Sequence, residues 1–538
     1  MDDVIPGYFT LSKLKERQFL LLIIVFNFII KAIPAGILEL GNDEVYYWTY
    51  ALFPDWSHFD HPPMVGLTIQ LFTLNLYFHN EIFMRLGSLV LSSLNIVILY
   101  YLVKKIYSQN AAFISVLLFT ASIYFNIISG LFILPDTPQT FFMLLSLYFG
   151  IPAVIANNPS KNDSNNLILF GLFVGLAFLS KYHSLFIWFG FGLYILFNNR
   201  VWFKKPSLYI SLLITMILMI PVFYWNIKNN FMSFTYHGNR IGLFQSPPDI
   251  LSFARFNLGQ FGYQNPILFI IFILTLITLV RKKRGTVSRT NILLIYLSLP
   301  LILIFTLFSL FKNTLPHWSG PAFIGLLILS SEWLSELSST KGRRVAATLV
   351  AANLLVVFVL IVGSIQVNHG IFIHSQASSD PAKLGKSDFT LDMYGWKQAK
   401  RKFNKFLLSE DIKDSDHERV KIISNKCYPA SHLDFYIAHP LNIDLVALGN
   451  IEDIHKYYWI NRTRKINPQD RVFFITSSQH YFAPEELNNY FSRIIPRDTI
   501  SIDRNGIKVK NLFVYEMFNY KEDTSQSNKI ILREVSGH

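Results

Sequence analysis

Leu40-Gly41-Asn42-Asp43-Glu44-Val45-Tyr46-Tyr47-Trp48, followed by His58-Phe59-Asp60-His61-Pro62-Pro63, packs acids, histidines and aromatics directly behind an apolar block at 18–36. No Lys or Arg stands between Lys31 and Arg85. A hydrophobic block, then a segment stripped of cations, then clustered carboxylates read as chemistry at a membrane surface.

Working outward, 51% of the 538 residues are hydrophobic and apolar blocks recur through the first two thirds of the chain. Each block approaches the roughly 20 residues that cross a bilayer, so the expected class is a polytopic α-helical membrane protein. Eleven spans are expected, near 18–36, 82–103, 110–129, 137–153, 166–181, 183–199, 207–225, 264–280, 291–311, 318–334 and 345–366. The net charge of +13 would suit nucleic acid, but the basic residues gather in short clusters between apolar blocks, which argues against that partner. With a cytoplasmic N-terminus, Lys13/Lys15/Arg17, Lys104/Lys105, Arg200/Lys204/Lys205, Arg281 to Arg284 and Lys341/Arg343/Arg344 all fall inside. The 37–81 segment, the turn at Leu134-Pro135-Asp136, the 226–263 loop and the chain beyond about 367 then fall outside. The first span reads as a retained anchor, since no small-residue cleavage pattern follows it. A single cysteine, Cys427, excludes an internal disulfide framework and a multi-cysteine metal site.

Two domains are expected: a membrane domain over 1–369 and an extracytoplasmic α/β domain over 370–538. Within 37–81, the spacing of Val45, Tyr46, Tyr47, Tyr50, Ala51 and Leu52 predicts a helical face. The apolar run Met64 to Phe78 after Pro62-Pro63 predicts a re-entrant or interfacial helix. Beyond 370, short apolar runs at Val420–Ile423, Asp444–Leu448, Arg471–Thr476 and Lys510–Tyr515 predict strands, with helical pieces at Trp396–Leu408 and Pro484–Phe491. No glycine-rich nucleotide fingerprint and no strong internal repeat occur.

Asp43 and Glu44 stand at the outer end of the first span, where an ionised carboxylate must face water, a cation or a polar partner. One of the pair is equally suited to capping the helix that follows. Because adjacent residues on a helix point in different directions, the two cannot serve one atom. Asp136 stands in a turn on the same expected face and is a second acid, or a helix cap. Asp60-His61 is held by the stiff diproline, and Lys181, Tyr182, His183, His237, Arg240, Lys312 and His317 add polar groups on that side.

These residues carry a resemblance. Asp43-Glu44-Val45-Tyr46-Tyr47, Phe59-Asp60-His61-Pro62-Pro63, Arg85-Leu86, Leu134-Pro135-Asp136-Thr137-Pro138, the run from Gly175 to Tyr182 and the run from Pro221 to Asn226 occur in that order. Together they resemble the bacterial branch of the dolichyl-phosphate-mannose-protein mannosyltransferases, which is related to the lipid A aminoarabinose transferases and shares their multi-span GT-C architecture. Leu391-Asp392-Met393-Tyr394-Gly395-Trp396 resembles tails of some bacterial members. The resemblance implies a sugar donor on a polyprenyl phosphate, attack by an acceptor hydroxyl on the outer face of the inner membrane, and catalytic acids at Asp43 and Asp136. His61 stands where the aminoarabinose branch typically has Lys.

Inverting glycosyl transfer needs a base for the acceptor proton and a cationic or hydrogen-bonding site for the departing phosphate. Asp43 suits the first task, and Lys181, Arg240, His61 and Lys312 suit the second. Glu44, Tyr47, Asp60, Arg85, Tyr182 and His317 complete the expected substrate-binding set. A phosphate is a good leaving group, so a second carboxylate as acid is not obligatory, and Asp136 is then free to orient the acceptor or a neighbouring cation. No cofactor is implied, and Asp60 with the histidines leaves room for a divalent metal without strict ligand spacing. The acceptor class is a glycolipid, glycan or protein. A lipid or glycan transporter or flippase is the competing class, but it calls for charges near the bilayer midplane and broken helices in matching halves. A membrane sensor would leave the 37–81 cluster idle.

Overall fold

The computed structural model describes residues 13–241, 247–282, 286–372 and 380–521. The chain forms two compact units. One holds the chain up to Ile37 together with Tyr50–Ile361, and the other holds Leu38–Thr49 together with the chain from Val362. The second unit is therefore built from two pieces that are far apart in sequence.

The first unit is helical. Its principal helices are α1 (Lys13–Ile37), α2 (Asn42–Leu52, shared across the division), α3 (Met64–Phe72), α4 (Glu81–Ile106), α5 (Gln109–Ala121), α6 (Asp136–Ile155), α7 (Lys161–Phe178), α8 (Phe186–Asn198), α9 (Pro206–Lys228), α10 (Met232–Ile241), α11 (Ile250–Tyr263), α12 (Pro266–Arg281), α13 (Arg289–Phe308) and α14 (Phe323–His369). Side chains stop the helices where the sequence supplies caps: Asn80 accepts from Phe83 N at 3.2 Å, and Ser160 and Asp163 form a reciprocal capping box. Helices approach closely where residues are small. A methyl at Gly171 would lie 2.3 Å from the Ser211 carbonyl oxygen, so α7 and α9 meet backbone to backbone, and Thr215 Oγ1 donates to Gly171 O at 2.7 Å.

Among the described residues, six helices are long and apolar enough to cross a membrane, or seven if the pair α11 and α12, bent by 102°, counts as one span. Eleven were expected. The expected spans at 110–129 and 183–199 contain helices of 13 residues each, α5 and α8, the first of them ending at Ala121 before a wide turn at Tyr124–Ile128. The expected spans at 318–334 and 345–366 fall on either side of Lys341, where the backbone of α14 leaves helical geometry and kinks. At the corner between α11 and α12, Asn265 takes φ +73° while its amide donates to Ala121 O and Ala352 O, each at 2.9 Å.

The second unit is α/β. Strands β1 (Val420–Ser424), β2 (Asp444–Ala447), β3 (Arg471–Ser477), β4 (Phe491–Arg504) and β5 (Ile507–Tyr520) form one sheet in the order β2-β1-β3-β5-β4. β1 pairs in parallel with β2 and β3, whereas β5 is antiparallel to β3 and β4. Helices α15 (Trp396–Ser409) and α16 (Cys427–Leu433) belong to this unit. The four expected strands are present. The helix expected over Pro484–Phe491 is instead a short 3-10 turn, Pro484–Leu487, leading into β4. Ile423, Val446, Phe474, Phe491 and Met517 pack into a core on the sheet.

Candidate functional site

In the helical unit, Asp136 opens α6, where the positive end of the helix dipole favours a carboxylate. Lys181, on the turn after α7, reaches one carboxylate oxygen at 2.8 Å, and both side chains are buried. Tyr124 O–H donates to the other oxygen at 2.6 Å. The tyrosine lies flat over Gly320, where a methyl group would sit 2.2 Å from the ring. Asp136 therefore spends its charge inside the protein, fixing an ammonium that has three N–H donors and gives one of them to the pair.

The Asp60-His61 loop is tied to the same neighbourhood. Met64 N, just past the diproline, donates to Leu179 O at 3.0 Å, which joins the start of α3 to the end of α7 beside Lys181. Asp60 accepts from Tyr50 O–H, its carbonyl lies 2.7 Å from His237 Nε2, and Ser233 Oγ donates to His58 O at 2.9 Å. The Tyr50 ring stacks on His58 at 3.7 Å, and Tyr182 meets His237 edge-on at 5.4 Å. Burial pulls the His61 imidazole down to about 3; Asp60 opposes this, while Lys181 and His237 add to it. His61 is thus a neutral hydrogen-bonding group at ordinary pH, and the fixed positive charge here is that of Lys181. His317 also lies close enough to act electrostatically on Asp136.

Asp60, His61, Asp136, Lys181, Tyr182 and His317 are thereby brought into one cluster, joined by His183 and His237. Arg85 is fully buried on α4, donates to Ala35 O at 3.0 Å in the last turn of α1 and lies 5.9 Å from the Phe132 ring. Lys312 is half-buried on the turn after α13. The Arg240 side chain lies outside the described residues. Among the described residues no group of three or more His, Cys, Asp or Glu is placed to hold a metal ion.

In the α/β unit, the two neighbouring acids divide as helix geometry requires. Glu44 is buried and accepts from Gly41 N at 2.9 Å, reaching back over the start of α2 as a capping carboxylate. Asp43 is exposed, and its Oδ1 accepts from Tyr428 O–H at 2.8 Å. Tyr47 is buried, packed against Tyr46 at 5.6 Å. Further links hold the segment: Leu40 N donates to Tyr436 O–H at 2.6 Å, Asn42 donates to Asp392 at 2.6 Å, and His432 Nε2 lies 2.9 Å from Asn42 Oδ1. Glu39 accepts from Trp396 N at 2.7 Å and Lys397 N at 3.0 Å, capping α15 from outside. Sequence reasoning singled out Asp43 but missed Tyr428 and His432. Their only local signal is a spacing of four residues next to the lone cysteine.

Residues 60–225 match the family model described as dolichyl-phosphate-mannose-protein mannosyltransferase. The chain also superposes on ArnT from Cupriavidus metallidurans in the apo state with a TM-score of 0.61 at 12% identity, over 93% of this chain and 98% of that one. The same protein bound to undecaprenyl phosphate superposes with a TM-score of 0.60 at 13% identity, with the same coverage. The chain has the GT-C fold of these structures. The chain is 24% identical over 320 residues to lipid A galacturonosyltransferase RgtD of Rhizobium johnstonii. That match covers 57% of this chain and 63% of the relative, so it spans less than two thirds of the relative's length.

Proposed function

We propose that this GT-C protein is a multi-pass inner-membrane glycosyltransferase that moves a sugar from a polyprenyl-phosphate donor to an acceptor hydroxyl on the outer face, with inversion and with Asp43 as general base. The resemblance to a lipid A galacturonosyltransferase favours a lipid A-type glycolipid as acceptor over a protein or free glycan. The observation that carries the division of roles is the contrast between the two acids. Asp136 is buried and neutralised by Lys181, whereas Asp43 is exposed and accepts from a tyrosine hydroxyl. In this reading Asp43 takes the acceptor proton as the oxygen attacks the anomeric carbon, and the polyprenyl phosphate leaves with the bonding pair. Lys181, steadied by Asp136, offers its remaining N–H groups to that phosphate, and neutral His61 supplies a hydrogen bond.

The test is transfer of radiolabelled sugar from a polyprenyl-phosphate donor by purified protein. Asp43→Asn should lower the rate about 10²–10⁴-fold, the range for losing a general base, while donor retention stays near wild type. Near-normal transfer by that variant removes Asp43 from the role. Mass spectrometry of envelope glycolipids with and without the protein identifies the sugar and the acceptor.

A further inference from the structure

In an open α/β sheet, ligands bind beyond the carboxyl ends of the parallel strands, at the point where the strand order reverses. Here the parallel strands run β2-β1-β3, so that point lies between β1 and β3. The chain leaving β1 forms α16, and the chain leaving β3 turns through Ser478–His480. His432 of α16 meets Asn42 at 2.9 Å, and Gln479 of the β3 turn donates at 2.6 Å to Asp392, whose other oxygen accepts from Asn42. The crevice where such a domain takes a ligand holds the start of the chain's own α2.

The grip has a defined geometry. Tyr428 and His432, four residues apart and so on one face of α16, engage Asp43 and Asn42, which are adjacent on α2. The His432 ring is stacked at 4.3 Å and 8° on Trp396, and Lys510 Nζ lies 4.1 Å from the centre of the same indole. Lys510 is itself held by Leu391 O at 2.9 Å and Tyr394 O at 3.0 Å. Leu391 to Trp396, the tail motif that resembles other bacterial members, therefore builds the seat against which His432 is pressed.

We propose that the C-terminal domain is the positioning half of the catalytic base. Tyr428 aims the Asp43 carboxylate directly, and His432, backed by Trp396, fixes the backbone that carries it through Asn42. This rests on the assignment of Asp43 as base. An exposed carboxylate in the first turn of a short helix has several rotamers open to it, and a donor at 2.8 Å favours one of them. Both are positioning residues, since neither needs to touch substrate.

Five variants of the full-length protein in detergent, Asp43→Asn among them, decide the matter, each first checked for a monodisperse peak. Tyr428→Phe should lower kcat about tenfold with KM for donor and acceptor unchanged. His432→Ala should do the same and also speed deuterium uptake by amides of 38–49, whereas His432→Gln, which keeps a donor toward Asn42, should recover both. Tyr428→Phe added to Asp43→Asn should cost nothing more, because the residue it aims is gone. An unchanged kcat in Tyr428→Phe beside an inactive Asp43→Asn overturns the positioning role alone. A further drop in the double variant, or unaltered exchange in His432→Ala, overturns it too. An active Asp43→Asn instead overturns the base assignment, and this proposal with it.

Discussion

Asp136 and Lys181 cannot be removed separately without cost. Taking one partner from a buried ion pair strands the other charge, which typically costs about 3–5 kcal/mol, so Asp136→Asn should lower the melting temperature in detergent sharply. Asp136→Asn combined with Lys181→Met should recover much of that stability and none of the activity, which separates the pair's structural contribution from its role toward phosphate. His61 makes a different prediction. Its folded-state value of about 3 lies below the ordinary value of 6.5. Between those limits the unfolded chain holds a proton that the folded protein does not, so stability is full above about pH 6.5 and is lost as pH falls toward 3. His61→Gln should flatten that part of the melting curve measured against pH. The acids and Lys181 were legible because charged residues beside apolar spans are conspicuous. Their pairing was not, since 45 residues separate Asp136 from Lys181 and only the packing of α6 beside α7 joins them.

The local rules that failed were rules about edges. Phe491–Arg504 reads as broken because Pro496 interrupts it, yet β4 lies at the edge of the sheet and its ladder shifts register between Pro496 and Asp498. Edge strands and bulges tolerate proline because no ladder hydrogen bond is needed from its nitrogen. Asn505-Gly506, with φ +52° and +79°, is the tight hairpin that the dipeptide announces, and it was the available signal for the missed strand. Strands such as Arg471–Ser477 were legible because nearly every residue in them is buried. Gly395 tests the seat of Trp396. Its φ is +90°, and a methyl added there would lie 2.3 Å from Ile502 Cγ2, so Gly395→Ala should cost about 1–3 kcal/mol. Intrinsic tryptophan fluorescence on denaturant titration would register the earlier midpoint.

For the molecule as a whole, the basic clusters predict that 37–81 and the tail lie outside the cytoplasm. With Cys427 replaced by serine, single cysteines at Asn42 and Ser501 should react with an impermeant thiol reagent in intact cells; protection of both until lysis reverses the topology. A chain ending at Gly370 lacks Tyr428, His432, Asp392 and Trp396. It should still insert and retain donor in a filter assay, yet transfer sugar poorly. Loss of donor retention by folded, truncated protein would give the tail a share in the donor site.

Asp43 and Tyr428 are 385 residues apart in the chain. At the ordinary pace of about 5–20 residues per second, a ribosome needs roughly 20–80 s to travel from one to the other. Throughout that interval the acidic segment has already been made while its clasp does not yet exist. With Asp43 as the proposed base, a nascent or prematurely terminated chain would carry that acid without the means to aim it, and competence would arrive only near the end of synthesis.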